Sequence, residues 1–216
     1  MKKILLLCLI VCGLTGHAQP VLKGGLENFI ASNLSYPAFS YQNCVQGLVT
    51  IGFKVNMAGE VYSSKVNSGL GIDLDQEALR LIRLSSGKWS VPVDYDTTYV
   101  LLAPVNFRLA SEDCKGVSKT EMNRAIAAYK ANQGLTDAIT NFYRNKAEGK
   151  YNEAEEPKIT ALKKELGYDD AYLEQRIKDG QKKLKQKDRQ GACEDFRFVK
   201  YMGSALADEL IAKYCK

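Results

Sequence analysis

Residues 47–59, GLVTIGFKVNMAG, decide the fold. Val49, Ile51, Phe53 and Val55 fall on one face and Thr50, Gly52 and Lys54 on the other, the period of two that a strand shows when one side is buried and the other wet. Residues 56–59 read as a turn, and Val61 and Val66 mark a second, weaker strand. The segment therefore predicts a β-hairpin with a four-residue connection.

Working outward, Leu26, Phe29, Ile30 and Leu34 repeat at helical spacing in a segment that begins near Val21 and passes Gly24-Gly25. That helix must stop before Tyr36-Pro37, because the residue preceding a proline is pushed out of the α region. Residues 36–43 read as a loop that delivers Cys44 to the first strand. Beyond the hairpin, Asp73 and Gln76 have the spacing of a capping box, and Leu74, Ala78, Leu81 and Ile82 form the buried stripe of a helix ending near Leu84. Trp89, the only tryptophan, reads as a core residue between helix and sheet.

Residues 98–109, TYVLLAPVNFRL, predict a third strand. Tyr99, Leu101, Ala103, Val105, Phe107 and Leu109 share one face; Val100, Leu102, Pro104, Asn106 and Arg108 share the other. Pro104 cannot donate to a ladder, so it belongs on an edge with its nitrogen turned outward. By parity, the backbone groups of Leu102 and Asn106 point to the same side. A proline on such an edge either protects it against pairing or leaves its neighbours open to a partner strand.

Residues 24–109 resemble the C-terminal domain of TonB, the periplasmic energy transducer. The resemblance rests on Tyr36-Pro37, the G-x-V-x-I-x-F-x-V run from Gly47 to Val55, the turn glycine Gly59, the helix opening at residues 75–78, Trp89, and the closing Phe107-Arg108-Leu109. It implies an α+β fold: a three-stranded antiparallel sheet with helices on one face. It also implies that the last strand is an edge accepting an extended segment of an outer-membrane receptor or other envelope protein, with Tyr36, Pro37, Val100, Leu102 and Asn106 as the partner-binding residues. Main-chain bonds would then give affinity and side-chain pockets selectivity. The alternative is a structural envelope scaffold whose edge closes by self-pairing into a homodimer. The chain departs from the transducers in showing no long Pro- and Lys-rich linker, with five prolines in all, so energy transduction by this chain alone is not expected.

Residues 115–216 read as an all-α domain of helical hairpins, with a degenerate similarity to tetratricopeptide-type repeats. Ser118 and Glu121 form a capping-box pattern opening a helix that Gly134 is expected to break; a second begins at Thr136. Further helices are expected over 151–166, 169–186, 189–202 and 204–214. Gly180 weakens the one containing it by about 1 kcal/mol against Ala. Cys193 and Cys215 flank Gly203 by ten and twelve residues, so an antiparallel hairpin brings them together. Although four cysteines allow three pairings, that leaves Cys44 for Cys114, one before the first strand and one after the last.

Composition narrows the function. Lys2 and Lys3, an apolar run from Ile4, and Gly16-His17-Ala18 read as a secretory signal over residues 1–18, with the domains following at 19–114 and 115–216. The apolar run is shorter than the roughly 20 residues that span a bilayer. Lipidation of Cys12 is disfavoured because Val11 before it is not small. The expected location is the periplasm, where Cys44, Cys114, Cys193 and Cys215 form disulfides. The one histidine, His17, lies in the signal, so histidine-dependent catalysis and histidine-ligated metal sites are excluded. Residues 19–114 hold 7 basic and 9 acidic groups, and 115–216 hold 21 and 16. The basic run Lys178, Lys182, Lys183, Lys185, Lys187 and Arg189 has no interleaved aromatics and reads as a solvated face, not a nucleic-acid site. The sequence points to a non-enzymatic interaction module with no cofactor, metal or small-molecule substrate.

Overall fold

The computed structural model describes residues 19–215. The segment read as a signal, with Cys8 and Cys12, lies outside them. The chain runs through β1 (Val21–Leu22), α1 (Leu26–Asn33), α2 (Ala38–Gln42), β2 (Gly47–Val55), β3 (Val61–Ser68), α3 (Asp73–Leu84), β4 (Trp89–Ser90) and β5 (Leu101–Phe107). The helical half follows: α4 (Lys119–Ala147), α5 (Glu156–Glu165), α6 (Asp170–Lys185), α7 (Arg189–Tyr201) and α8 (Asp208–Tyr214). This is the expected α+β arrangement. The main sheet has the antiparallel order β3-β2-β5, so β2 is central.

Alternation in β2 is realised as read: Val49, Ile51 and Val55 are fully buried and Phe53 nearly so. They meet Ala103, Val105 and Phe107 of β5 and Leu74, Ala78, Leu81 and Ile82 of α3 in one apolar core. Trp89 closes that core, its ring 5.0 Å from Phe53 and its Nε1 donating to Ser85 Oγ at 2.8 Å.

Local differences from the sequence reading each have a visible cause. The hairpin connection is five residues, 56–60, because Asn56 N–H donates to the Glu60 carbonyl and Asn56 Oδ1 accepts from the Ala58 and Glu60 amides. Gly59 there has φ of 74° and lies against the Trp89 carbonyl, which leaves no room for a Cβ. Val21 and Leu22 pair with β4 and do not open a helix. The expected loop over 36–43 contains α2, and Asp73 does not cap α3. Its carboxylate instead accepts from the Ser40 amide and hydroxyl, while Asp75 accepts from the Leu70 and Gly71 amides. β5 begins at Leu101, because Asp96 Oδ1 binds the Thr98 amide and hydroxyl and holds the preceding residues in a turn.

In the helical half, Gly134 does not break the chain: α4 runs through it for 29 residues, about 44 Å. Its first turns contribute Ala125, Ile126 and Tyr129 to the sheet core and its later turns Ile139 to a second core with Leu173, Phe196 and Val199. Anchoring on both sides outweighs the roughly 1 kcal/mol a glycine costs. Ser118 and Glu121 form the expected capping box. Pro157 stands in the first turn of α5, where its missing N–H is harmless. The last helix is shorter than expected, beginning at Asp208. Both disulfides, Cys44–Cys114 and Cys193–Cys215, are in place. The basic run faces solvent, with Lys178, Lys182, Lys185, Lys187 and Arg189 exposed, and three of its residues also make specific bonds: Lys183 pairs with buried Asp195 at 2.7 Å, Lys187 with Glu60 at 3.4 Å, and Arg189 Nε donates to the Tyr214 carbonyl.

The two halves meet along α7. Arg83 of α3, only 5% exposed, forks onto Glu194 with both bonds at 2.7 Å and donates through Nε to Ser64 Oγ at 2.8 Å. Gln190, one turn before Glu194, accepts from the Ser64 amide at 2.8 Å and donates to the Ser64 carbonyl at 2.7 Å.

Two stability outcomes follow from this packing. A Cβ on Gly180 would sit 2.5 Å from Phe196 Cε1 at the α6–α7 crossing. Gly180→Ala, which helix propensity favours, should therefore destabilise the chain by about 1–3 kcal/mol in urea unfolding, with an increase in stability as the contrary result. Replacing Cys193 and Cys215 by Ser opens a loop with a sequence separation of 22 and should cost about 3 kcal/mol in the same assay.

Candidate functional site

β5 pairs antiparallel with β2 from Gly47↔Phe107 to Phe53↔Leu101, with Thr50 opposite Pro104. No other strand among the described residues pairs with it, so it forms one edge of the sheet. Its pleat separates two populations. Ala103, Val105 and Phe107 are fully buried, whereas Leu102, at 59% exposed, Pro104 and Asn106 face solvent.

Leu102 and its neighbours make an apolar strip on the open face. Leu48 lies opposite Asn106, and Gly52 opposite Leu102. A Cβ on Gly52 would come within 3.2 Å of Val100 Cγ1 and 3.8 Å of Leu102 Cδ2. The bare backbone at Gly52 thus lets both side chains settle over the sheet while remaining about half exposed or more. In the amide orientation that satisfies both groups, Asn106 Oδ1 accepts from Arg108 Nε at 3.0 Å. At the start of β5, a cleft of about 440 Å³ is lined by Asp94, Tyr95, Asp96, Tyr99 and Val100.

Three of the five residues expected to bind a partner share this face: Val100, just outside β5, and Leu102 and Asn106 within it. Tyr36 and Pro37 do not join them. Tyr36 stands on the helix side, its ring 5.9 Å from Phe107 and edge-on to it, and its hydroxyl donates to the Val45 carbonyl at 2.7 Å. Burial, and then the negative charge of Asp73, push its phenol up to about 12. Pro37 precedes α2 and lines a cleft of about 760 Å³ between α3 and the helical half. Leu48 and Gly52 escaped the sequence reading as site residues. The available signal was Leu48 itself, an apolar residue on the parity of β2 that otherwise faces water.

A small antiparallel sheet with helices on one face, and with β5 as an edge strand that no other described strand pairs with, defines a module of the α+β class. Residues 32–109 match the family model described as the C-terminal of the Gram-negative bacterial TonB protein. This part of the chain is similar to that domain, and the match ends at the residue after Arg108, before the helical half. No curated protein and no solved structure matches the chain. Among the described residues, no helix is long and apolar enough to cross a membrane.

Tyr36 gives a pH-dependent outcome. Its folded pKa is raised above its ordinary value of 10, so the stabilisation it contributes is complete below pH 10 and is lost as the pH rises through about 12. Tyr36→Phe removes the hydroxyl's bond to Val45 and should lower stability at neutral pH by about 1 kcal/mol. The difference between the phenolate absorbance titrations of the two proteins should be one group ionising near pH 12. A missing group that ionises near pH 10 would contradict this.

Proposed function

We propose that this protein is a TonB-like interaction module of the cell envelope that takes up an extended segment of a partner protein as an added strand on β5. The observation that carries the reading is the free outer edge of β5 with its apolar strip of Val100 and Leu102. Pro104 has no N–H to present to β2, so the ladder loses least if its nitrogen points outward. The main-chain groups of Leu102 and Asn106 then point the same way and are available to an incoming backbone. Leu102 and Val100 offer apolar contacts to side chains of that segment, the division of labour typical of strand addition. The family match supports a partner in the envelope, an outer-membrane receptor being the first candidate. Tyr36 and Pro37 act indirectly in this reading: Tyr36 fixes Phe107 and so the end of β5. A role in transport across the outer membrane depends on which envelope protein supplies the strand.

The test is capture from intact envelope with a photoreactive residue at position 102 and, separately, at Tyr172 on the helical half. The expected product at 102 is an outer-membrane receptor. Leu102→Lys combined with Asn106→Pro should abolish that capture while both disulfides and the circular dichroism spectrum are retained. Capture at 102 of only a second copy of this chain would replace the reading with a homodimeric envelope scaffold. Capture confined to 172 would move the function to the helical half.

A further inference from the structure

A three-stranded sheet has two edges, and the two edges of this one are treated differently. Among the described residues, no strand pairs with the outer side of β5. The outer side of β3 has α7 laid along it, and the contact is more than side-chain packing. At Ser64, the Gln190 amide accepts from the backbone N–H at 2.8 Å and donates to the backbone carbonyl at 2.7 Å. That pair of bonds, one accepted and one donated, is what a residue of a neighbouring antiparallel strand exchanges with its partner. Gln190 therefore occupies the place of a fourth strand at the middle of β3.

The surroundings hold it there. Arg83 reaches from α3 beneath β3, donates to Ser64 Oγ, and grips Glu194 with both arms of its guanidinium. Lys187 pairs with Glu60 before the strand begins, and the Val61 amide donates to Ser86 Oγ at 3.0 Å. Backbone groups of the edge are thus met at Ser64 from α7 and at Val61 from the residues just after α3. Unprotected edges of this length are templates for pairing with another chain, and covering them is one of the ways folded proteins avoid it.

We infer that the helical half serves as an edge guard: through Gln190 and Glu194 on α7 it closes β3 against self-pairing with a second copy of the chain, leaving β5 as the one edge open to a partner. The inference goes beyond the proposed role of β5 and does not depend on what β5 binds. It assigns a task to the half of the chain outside the matched family.

The test uses the full chain with Gln190→Ala and Glu194→Ala together, and with Gln190→Glu alone. The single change keeps the length and the helix but replaces the donor to the Ser64 carbonyl with a second acceptor. Hydrogen exchange at the Ser64 amide is measured in dilute solution, with the Ile51 amide in β2 as a control for the fold. A spin label on Lys65→Cys then reports whether two β3 strands approach each other at high concentration; pairing through β5 would keep those labels apart. In the double variant, exchange at Ser64 should be about tenfold faster with Ile51 unchanged, and intermolecular coupling between labels should appear that the parent lacks. If Ser64 stays protected, the seal is overturned. If Ser64 is freed but no coupling appears, the guarding role is overturned. Should the double variant lose protection at Ile51, Gln190→Glu decides on the same two readouts.

Discussion

The structure depends on one strand being paired on both sides and buried on one face. β2 carries the ladder to β3 on its left and to β5 on its right, and its inward side chains at 49, 51, 53 and 55 are between 0 and 2% exposed. Each position in that row contacts a core to which α3 contributes its own stripe, so the register of β2 sets the register of everything laid against it. A slip by one residue would turn Thr50, Gly52 and Lys54 inward and leave α3 facing polar side chains. The outward row is fixed by the same act, and it is this row that meets Leu102 and Val100. The apolar strip on the open face is a by-product of the choice that builds the core.

A second constraint joins the halves. Arg83 is a charged side chain at 5% exposure, and a guanidinium in that setting must have its donors met. Two go to Glu194 and one to Ser64, from opposite sides of the seam. Removing any of these partners leaves a buried charge short of bonds, so the seam is held as much by the penalty of separation as by attraction. α4 adds an apolar tie of its own, since one continuous helix has side chains in both cores.

Much of this was legible in the sequence, for reasons that can be named. The alternation in β2, the stripe of α3 and the proline in β5 are local signals with a fixed period or a fixed chemical defect. The disulfide pairing was legible because hairpin geometry limited the choices. What could not be read were events decided by a distant residue. Gly134 and Gly180 carry the same intrinsic cost, yet one is an unneeded glycine in open solvent and the other makes room for Phe196. Asp73 has the spacing of a cap but is claimed by Ser40, thirty-three positions earlier. In the candidate site, the face shared by Val100, Leu102 and Asn106 followed from parity, whereas Tyr36 took a place on the opposite side because Phe107 and the Val45 carbonyl offered it one. Gln190 gave no signal at all: its role exists only once Ser64, 126 positions away, is beside it.

The Cys44–Cys114 bond acquires a further meaning if β5 ever carries tension. Cys44 stands just before β2 and Cys114 beyond the end of β5, and antiparallel pairing puts those two ends together. A strand pulled from a sheet gives way most easily by peeling, one ladder rung at a time, from a free end. Here the end nearest Phe107 is tied to the strand beside it through the short segments 45–46 and 108–113 and the disulfide that joins them, so the two strands cannot part far on that side. Separation of β5 from β2 must then begin at the opposite end of the ladder, where Leu101 meets Phe53 and no covalent tie holds the two strands.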